Sequence, residues 1–211
     1  MRGLYLVTDR KLCGTRTLEY VVSRALEGGV AYLQLREKEL STRLFVEQAR
    51  EIKALTARYR VPLIINDRID VALAIDADGV HIGQDDMPYG TARKLMGPRA
   101  IIGVSVETWD DVMIAQQLDV DYIAVSPVFE TPTKTDTKSF WGLEGISRIK
   151  AYSRHPVVGI GGLNASNAEN AVMAGADCIA VVSAICADPY PLQAARKLHE
   201  IIHASLKKRP T

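Results

Sequence analysis

Tyr32-Leu33-Gln34-Leu35-Arg36-Glu37-Lys38 alternates apolar and polar residues, the pattern of an extended strand. A strand turns successive side chains to opposite faces. Leu33 and Leu35 therefore share one face, and Gln34, Arg36 and Lys38 share the other. With helices outside, the leucines bury against them and the three polar groups point inward. Two cations on an inner face are costly to desolvate unless something anionic meets them. A solvated edge strand with one wet face is the plainer alternative. The second reading is a barrel strand whose carboxyl end carries phosphate-binding groups, and the remainder of the chain favours it.

Outward from this strand, short apolar runs alternate with segments of helical period. The candidate strands are Leu4–Thr8, Ala31–Arg36, Pro62–Asn66, Gly79–Gly83, Ala100–Ser105, Tyr122–Ser126, Pro156–Gly161 and Cys178–Ser183. Helices are expected at Thr17–Glu27, Ser41–Tyr59 and Asn164–Ala174, with Ser41, Thr108 and Asn164 as N-caps. Strands each followed by a helix predict an α/β chain folded as a single (β/α)8 TIM barrel, one domain across residues 1–211. Units of about 26 residues put it near the small end of that fold. Three segments echo one another: Asp76-Ala77-Asp78-Gly79, Asp119-Val120-Asp121-Tyr122 and Gly175-Ala176-Asp177-Cys178 each run from a helix end through an aspartate into a buried strand. Their irregular spacing suggests duplicated βα units, not a solenoid. A doubly wound sheet is the rival, but Gly159-Ile160-Gly161-Gly162-Leu163-Asn164 lacks the final glycine of the dinucleotide fingerprint and comes late in the chain.

Composition narrows the partners. Lys and Arg number 26 against 25 Asp and Glu, a net charge of +1, which provides no field for nucleic acid or an anionic membrane. Cys13, Cys178 and Cys186 lack metal-ligand spacing, and buried free thiols fit a reducing cytoplasm. Charge interrupts the opening Met1–Asp9 segment too early for a signal sequence, and no apolar run is long enough for a bilayer. Small-molecule substrates are the expected partners, and assembly into a homo-oligomer is left open.

Catalytic groups in such barrels sit at the carboxyl ends of the strands. Reading off those ends gives Gln34, Arg36 and Lys38; Asn66 and Asp67; Gln84, Asp85 and Asp86; Ser105; Gly161 and Gly162; and Val182 and Ser183. The long connection from Pro127 to Gly142 adds Thr131, Pro132, Thr133 and Lys134, hydroxyls and a cation suited to covering an anionic ligand. Asp67 and Asp86 come from adjacent strands and would share a cation. Magnesium is commonly held by one or two carboxylates plus substrate phosphates. Arg36, Lys38 and Lys134 would neutralise the remaining diphosphate charge. The competing role for each aspartate is a helix N-cap. Gly161-Gly162 and Val182-Ser183 suggest a second anion site on backbone N–H groups, as after strands 7 and 8 of related barrels; an ordinary tight turn is the alternative there. Two phosphate sites with a cation at one suggest transfer between two phosphorylated substrates. His199-Glu200-Ile201-Ile202-His203 matches the zinc-protease pattern, yet only a basic tail follows and no third ligand. His81, inside a strand, reads as a core or supporting residue.

The same segments resemble thiamine-phosphate synthases. The resemblance runs from Leu4-Tyr5-Leu6-Val7-Thr8-Asp9 to Val182-Ser183-Ala184-Ile185. Its specific parts are Gln34-Leu35-Arg36-Glu37-Lys38, Asn66-Asp67, His81-Ile82-Gly83-Gln84-Asp85-Asp86, Gly103-Val104-Ser105, Thr131-Pro132-Thr133-Lys134 and Gly159-Ile160-Gly161-Gly162. It implies a transferase joining 4-amino-5-hydroxymethyl-2-methylpyrimidine diphosphate to a thiazole phosphate, with loss of pyrophosphate. By the same resemblance Gln34, Leu35, Arg36, Glu37, Lys38, Asn66, Ser105 and Lys134 line the pyrimidine diphosphate. Asp67 and Asp86 bind one Mg2+ ion, and Thr131, Pro132, Thr133, Gly162, Val182 and Ser183 hold the thiazole phosphate. Arg36, Lys38, Ser105 and Lys134 are the implied catalytic groups. The implied mechanism is dissociative, and the inventory offers no covalent nucleophile. Ser126 and Glu130 depart from the glycine and proline common in the family. Thiazole tautomerases share the barrel but generally lack the paired aspartates and the Gln34–Lys38 set; a non-catalytic phosphate binder is the third reading.

Overall fold

The computed structural model describes residues 1–130 and 140–209. Eight parallel strands pair in sequence order and close on themselves: β1 (Gly3–Val7), β2 (Tyr32–Leu35), β3 (Leu63–Asn66), β4 (Gly79–Ile82), β5 (Ile101–Val106), β6 (Tyr122–Val125), β7 (Val157–Gly159) and β8 (Cys178–Val181). All eight expected strands are present, each within two residues of its expected ends. The helices that follow them are α1 (Leu18–Glu27), α2 (Thr42–Tyr59), α3 (Ile69–Ala74), α4 (Tyr89–Met96), α5 (Trp109–Ala115), α6 (Gly142–Tyr152), α7 (Ala168–Met173), α8 (Ser183–Cys186) and α9 (Pro191–Lys208). Among the described residues no helix is long and apolar enough to cross a membrane.

Alternation along each strand builds two apolar layers. One face of every strand packs on the helices through residues such as Leu6, Leu33, Leu35, Ile65 and Ile123. The opposite face fills the barrel interior with Tyr5, Val7, Ile64, Tyr122, Val158 and Cys178. Ser41 and Thr108 cap α2 and α5 as expected, Thr108 in a reciprocal capping box with Asp111. Asn164 does not cap α7. Its Oδ1 accepts from the Ser166 N–H at 2.9 Å and the Ser166 hydroxyl at 2.6 Å, so a local turn intervenes and the helix starts only at Ala168.

The three echoed aspartates have one structural task. Asp78, Asp121 and Asp177 each precede an even-numbered strand, and each Oδ2 accepts the N–H at the start of the strand before: Leu63 at 2.8 Å, Ile102 at 2.8 Å and Val157 at 2.9 Å. Each returns the bond through its own N–H, to Leu63 O at 3.1 Å, Ile102 O at 2.9 Å and Val157 O at 2.8 Å. These paired bonds tie β3 to β4, β5 to β6 and β7 to β8 at the amino ends of the strands. The opposite rim is left to hold chemistry.

Candidate active site

At the carboxyl ends of the strands lies a cavity of about 1020 Å³. Gln34 lines it from β2, Arg36 and Lys38 line it from the segment just beyond that strand, and the cations meet anions at once. Lys38 Nζ lies 2.5 Å from Asp67 Oδ2, and Arg36 Nη1 lies 3.7 Å from Asp9 Oδ2. The Thr8 hydroxyl accepts the Arg36 backbone N–H at 3.0 Å and so anchors the base of that side chain. Leu35 and Glu37, also expected as ligands, are not among the residues that line the cavity. Strand alternation turns the Leu35 side chain into the sheet–helix layer, where it is fully buried. Glu37 lies outside the cavity lining and uses Oε1 to accept the Lys38 and Glu39 N–H groups at 2.8 and 3.0 Å.

Asn66, Asp67 and Asp86 line the same wall. Asp67 follows β3 with φ of 59°, left-handed backbone that is uncommon for a residue with a side chain. Its N–H donates to His81 O at 2.8 Å, which locks that conformation against β4. Neither aspartate is a helix cap. Arg68 and Pro88 occupy the N-cap positions of α3 and α4, and Asp86 Oδ2 instead accepts the Gly83 N–H at 2.7 Å. Burial, followed by the neighbouring Asp67 carboxylate, holds the Asp86 carboxyl above the usual range, against the Gly83 N–H and Lys38. Two adjacent carboxylates, with the Lys38 ammonium against Asp67, are the kind of oxygen donors that a hard cation takes alongside phosphate and water. Among the described residues no group of three or more His, Cys, Asp or Glu side chains is placed to hold a metal.

Ser105 lines the wall from near the end of β5, and Gly161, Gly162, Val182 and Ser183 line the side formed by β7 and β8. The two glycines have φ of 95° and 66°, and a Cβ on Gly162 would sit 2.7 Å from Glu130 O and from the Phe129 Cβ. Glycine is therefore required where the segment after β6 crosses the end of β7. Thr131, Pro132, Thr133 and Lys134 lie outside the described residues. The flanks of their connection are tied together, Trp141 N to Pro127 O at 3.0 Å and Gly142 N to Val128 O at 2.9 Å.

Several site residues went unnoticed in the sequence. Tyr5 and His81 line the cavity floor, and the His81 ring stacks at 5.6 Å on Tyr122, which is fully buried behind them. Asp9 pairs with Arg36, and Glu107, Thr108 and Asp111 extend the wall beyond Ser105. The signal available for the tyrosines was their parity: Tyr5 shares a face with Val7, and Tyr122 with Ala124, both pointing inward. His199 and His203 lie on α9 with rings stacked 5.7 Å apart, beside Arg2, Gly3 and Ala31 at the amino ends of the strands, remote from this cavity.

The model of the thiamine monophosphate synthase family matches residues 4–185. The chain belongs to that family. A thiamine-phosphate synthase of Albidiferax ferrireducens is 53% identical over 201 residues, covering 95% of this chain and 92% of the relative. One from Leptospira biflexa is 50% identical over 198 residues, covering 92% and 94% respectively. Among solved structures, thiamine phosphate pyrophosphorylase from Pyrococcus furiosus superposes with a TM-score of 0.89 at 37% identity, covering 97% of this chain and 96% of that one. The chain is a transferase of the thiamine-phosphate synthase type.

Proposed function

We propose that this enzyme joins 4-amino-5-hydroxymethyl-2-methylpyrimidine diphosphate to a thiazole phosphate, releasing pyrophosphate and thiamine phosphate. The observation that carries this reading is the convergence of Arg36, Lys38, Asp67 and Asp86 on one cavity mouth, with Lys38 and Asp67 already in contact at 2.5 Å. That cluster suits a metal-bound diphosphate, and the glycine-lined segment with Val182 and Ser183 suits a lone phosphate. Asp67 and Asp86 would hold one Mg2+ ion, which when bound supplies charge neutralisation at the departing diphosphate. Arg36 and Lys38 bind the same oxygens and stabilise the negative charge that grows on them as the carbon–oxygen bond breaks. The thiazole nitrogen then donates its electron pair to the pyrimidine methylene carbon. In this reading no protein nucleophile is required. Thr131, Pro132, Thr133 and Lys134 belong to the same reading, as contacts of the two phosphorylated ends. We place the reaction in a reducing cytoplasm, an assignment supported by three buried free thiols, Cys13, Cys178 and Cys186.

The test mixes both substrates with magnesium and follows pyrophosphate. Release that needs both substrates is expected. Isomerised thiazole phosphate without pyrophosphate release would identify a tautomerase instead, and binding without turnover a phosphate-ligand binder.

A further inference from the structure

A chain of hydrogen bonds crosses the cavity floor from β2 to β5. Gln34 Nε2 donates to Tyr5 OH at 2.9 Å, and Tyr5 OH lies 2.9 Å from Tyr122 OH. Tyr122 OH lies 3.0 Å from His81 Nδ1, and His81 Nε2 lies 2.9 Å from Ser105 Oγ. Five strands contribute one residue each, and the two ends, Gln34 and Ser105, open onto the cavity. Both phenols are enclosed, and burial pushes them well above their ordinary value, so their protons remain in place.

A phenol has one proton to give, so setting one link sets the next, and the wire has two self-consistent directions. In the first, Gln34 donates to Tyr5, Tyr5 to Tyr122, Tyr122 to His81 Nδ1, and His81 Nε2–H to Ser105. Gln34 then shows Oε1 to the cavity, and the Ser105 hydroxyl is free to donate there. In the second direction every role inverts, and Gln34 shows its NH2. The amide orientation, with Nε2 on Tyr5, belongs to the first. With that amide in place, a proton pointing from Tyr122 to Tyr5 would strand the Tyr5 O–H, which meets no other acceptor among the described residues. A buried hydroxyl left without a partner is disfavoured.

We propose that the Tyr5–Tyr122–His81 wire fixes the polarity of the pyrimidine subsite, presenting an acceptor at Gln34 and a donor at Ser105, and thereby selects an aminopyrimidine over its oxo counterpart. The three residues act as positioning residues through Gln34 and Ser105. The inference rests on the reading that the pyrimidine docks between those two ends. An exocyclic amine gives Gln34 Oε1 a proton, and a ring nitrogen accepts from Ser105. An oxo group would set two acceptors face to face. Breaking the wire frees the Gln34 amide to flip: without the Tyr122 hydroxyl, Tyr5 can donate to the amide oxygen, and without the Tyr5 hydroxyl the amide loses the partner that fixes its orientation.

Two measurements test this. The 15N spectrum of His81 in the intact enzyme is expected to show the proton on Nε2 and a bare Nδ1; a proton on Nδ1 overturns the polarity. Initial rates are then compared for the amino- and oxopyrimidine diphosphates with saturating thiazole phosphate. The intact enzyme is expected to favour the amine by about 10³-fold or more in kcat/KM, since a site built around a hydrogen bond strongly rejects the mismatched analogue. Tyr122→Phe and Tyr5→Phe should each narrow that ratio about tenfold, leave the KM for thiazole phosphate unchanged, and fail to add in the double variant because both cut one wire. An unaltered ratio in both variants overturns the inference. If the intact enzyme turns over neither pyrimidine, the substrate reading itself falls and the selectivity claim with it, while the His81 spectrum still judges the wire alone.

Discussion

Arg36 and Lys38 line the cavity from the segment just beyond the carboxyl end of β2, and that placement makes them responsible for charge. Each would meet diphosphate oxygens whose negative charge grows as the leaving group departs. Lys38→Ala or Arg36→Ala should lower kcat about 10²-fold or more, with folding intact by circular dichroism; rates equal to the unsubstituted enzyme would remove that residue from the mechanism. Asp67→Asn keeps the shape of the left-handed turn, since asparagine tolerates that backbone, but removes a carboxylate. Its magnesium titration should shift to higher concentrations, and an unmoved midpoint would count against the metal role. Gly103 makes a different prediction. A Cβ there would fall within the enclosed ring of Tyr122, which has no free direction to move. Gly103→Ala should cost about 1 to 3 kcal/mol in denaturant unfolding and disturb the floor of the site as well.

The aspartate bridges at the strand starts account for stability at the level of elements. Asp177 is the most heavily loaded. Besides the Val157 N–H, its carboxylate meets Lys150 at 2.7 Å and Arg209 at 2.5 Å. Burial alone would raise its pKa, but Lys150, the Val157 N–H and Arg209 together hold it below the usual carboxylate range. A depressed carboxylate stabilises the fold above its unfolded value, and that contribution disappears as pH falls through the lower folded value. Asp177→Asn should therefore unfold at lower denaturant near neutrality, by about 3 kcal/mol for a broken buried pair, and show less further loss on acidification. A variant with unchanged acid dependence would show that other carboxylates set it. Elements were legible in the sequence where pattern and burial coincide. Parallel strands covered on both faces read as unbroken apolar runs, and the echoed aspartates marked where three of them begin. The start of α7 was misread because Asn164 is equally at home in a turn, and only the bonds it makes to Ser166 distinguish the two.

For the molecule as a whole, chemistry and integrity occupy opposite ends of one barrel. The rim was largely legible, because Gln34, Arg36, Lys38, Asn66, Asp67, Asp86 and Ser105 stand at the ends of recognisable strands and carry polar groups where an apolar core would not. The floor was not. A tyrosine in an apolar run reads as packing, and nothing along the chain shows that residues 117 positions apart, Tyr5 and Tyr122, share a hydrogen bond. His199→Ala, at the far end on α9, should leave turnover unchanged; a large loss would tie that end to the reaction. The reciprocal aspartate bonds also clasp six of the eight strands into three pairs, β3 with β4, β5 with β6 and β7 with β8. A polypeptide severed after Pro98 leaves every clasp whole inside one fragment or the other, whereas severing after Gln117 parts Ile102 from Asp121. The first pair of fragments should reassociate into active enzyme more readily than the second, so the clasps mark seams along which such a barrel can be taken apart and rejoined.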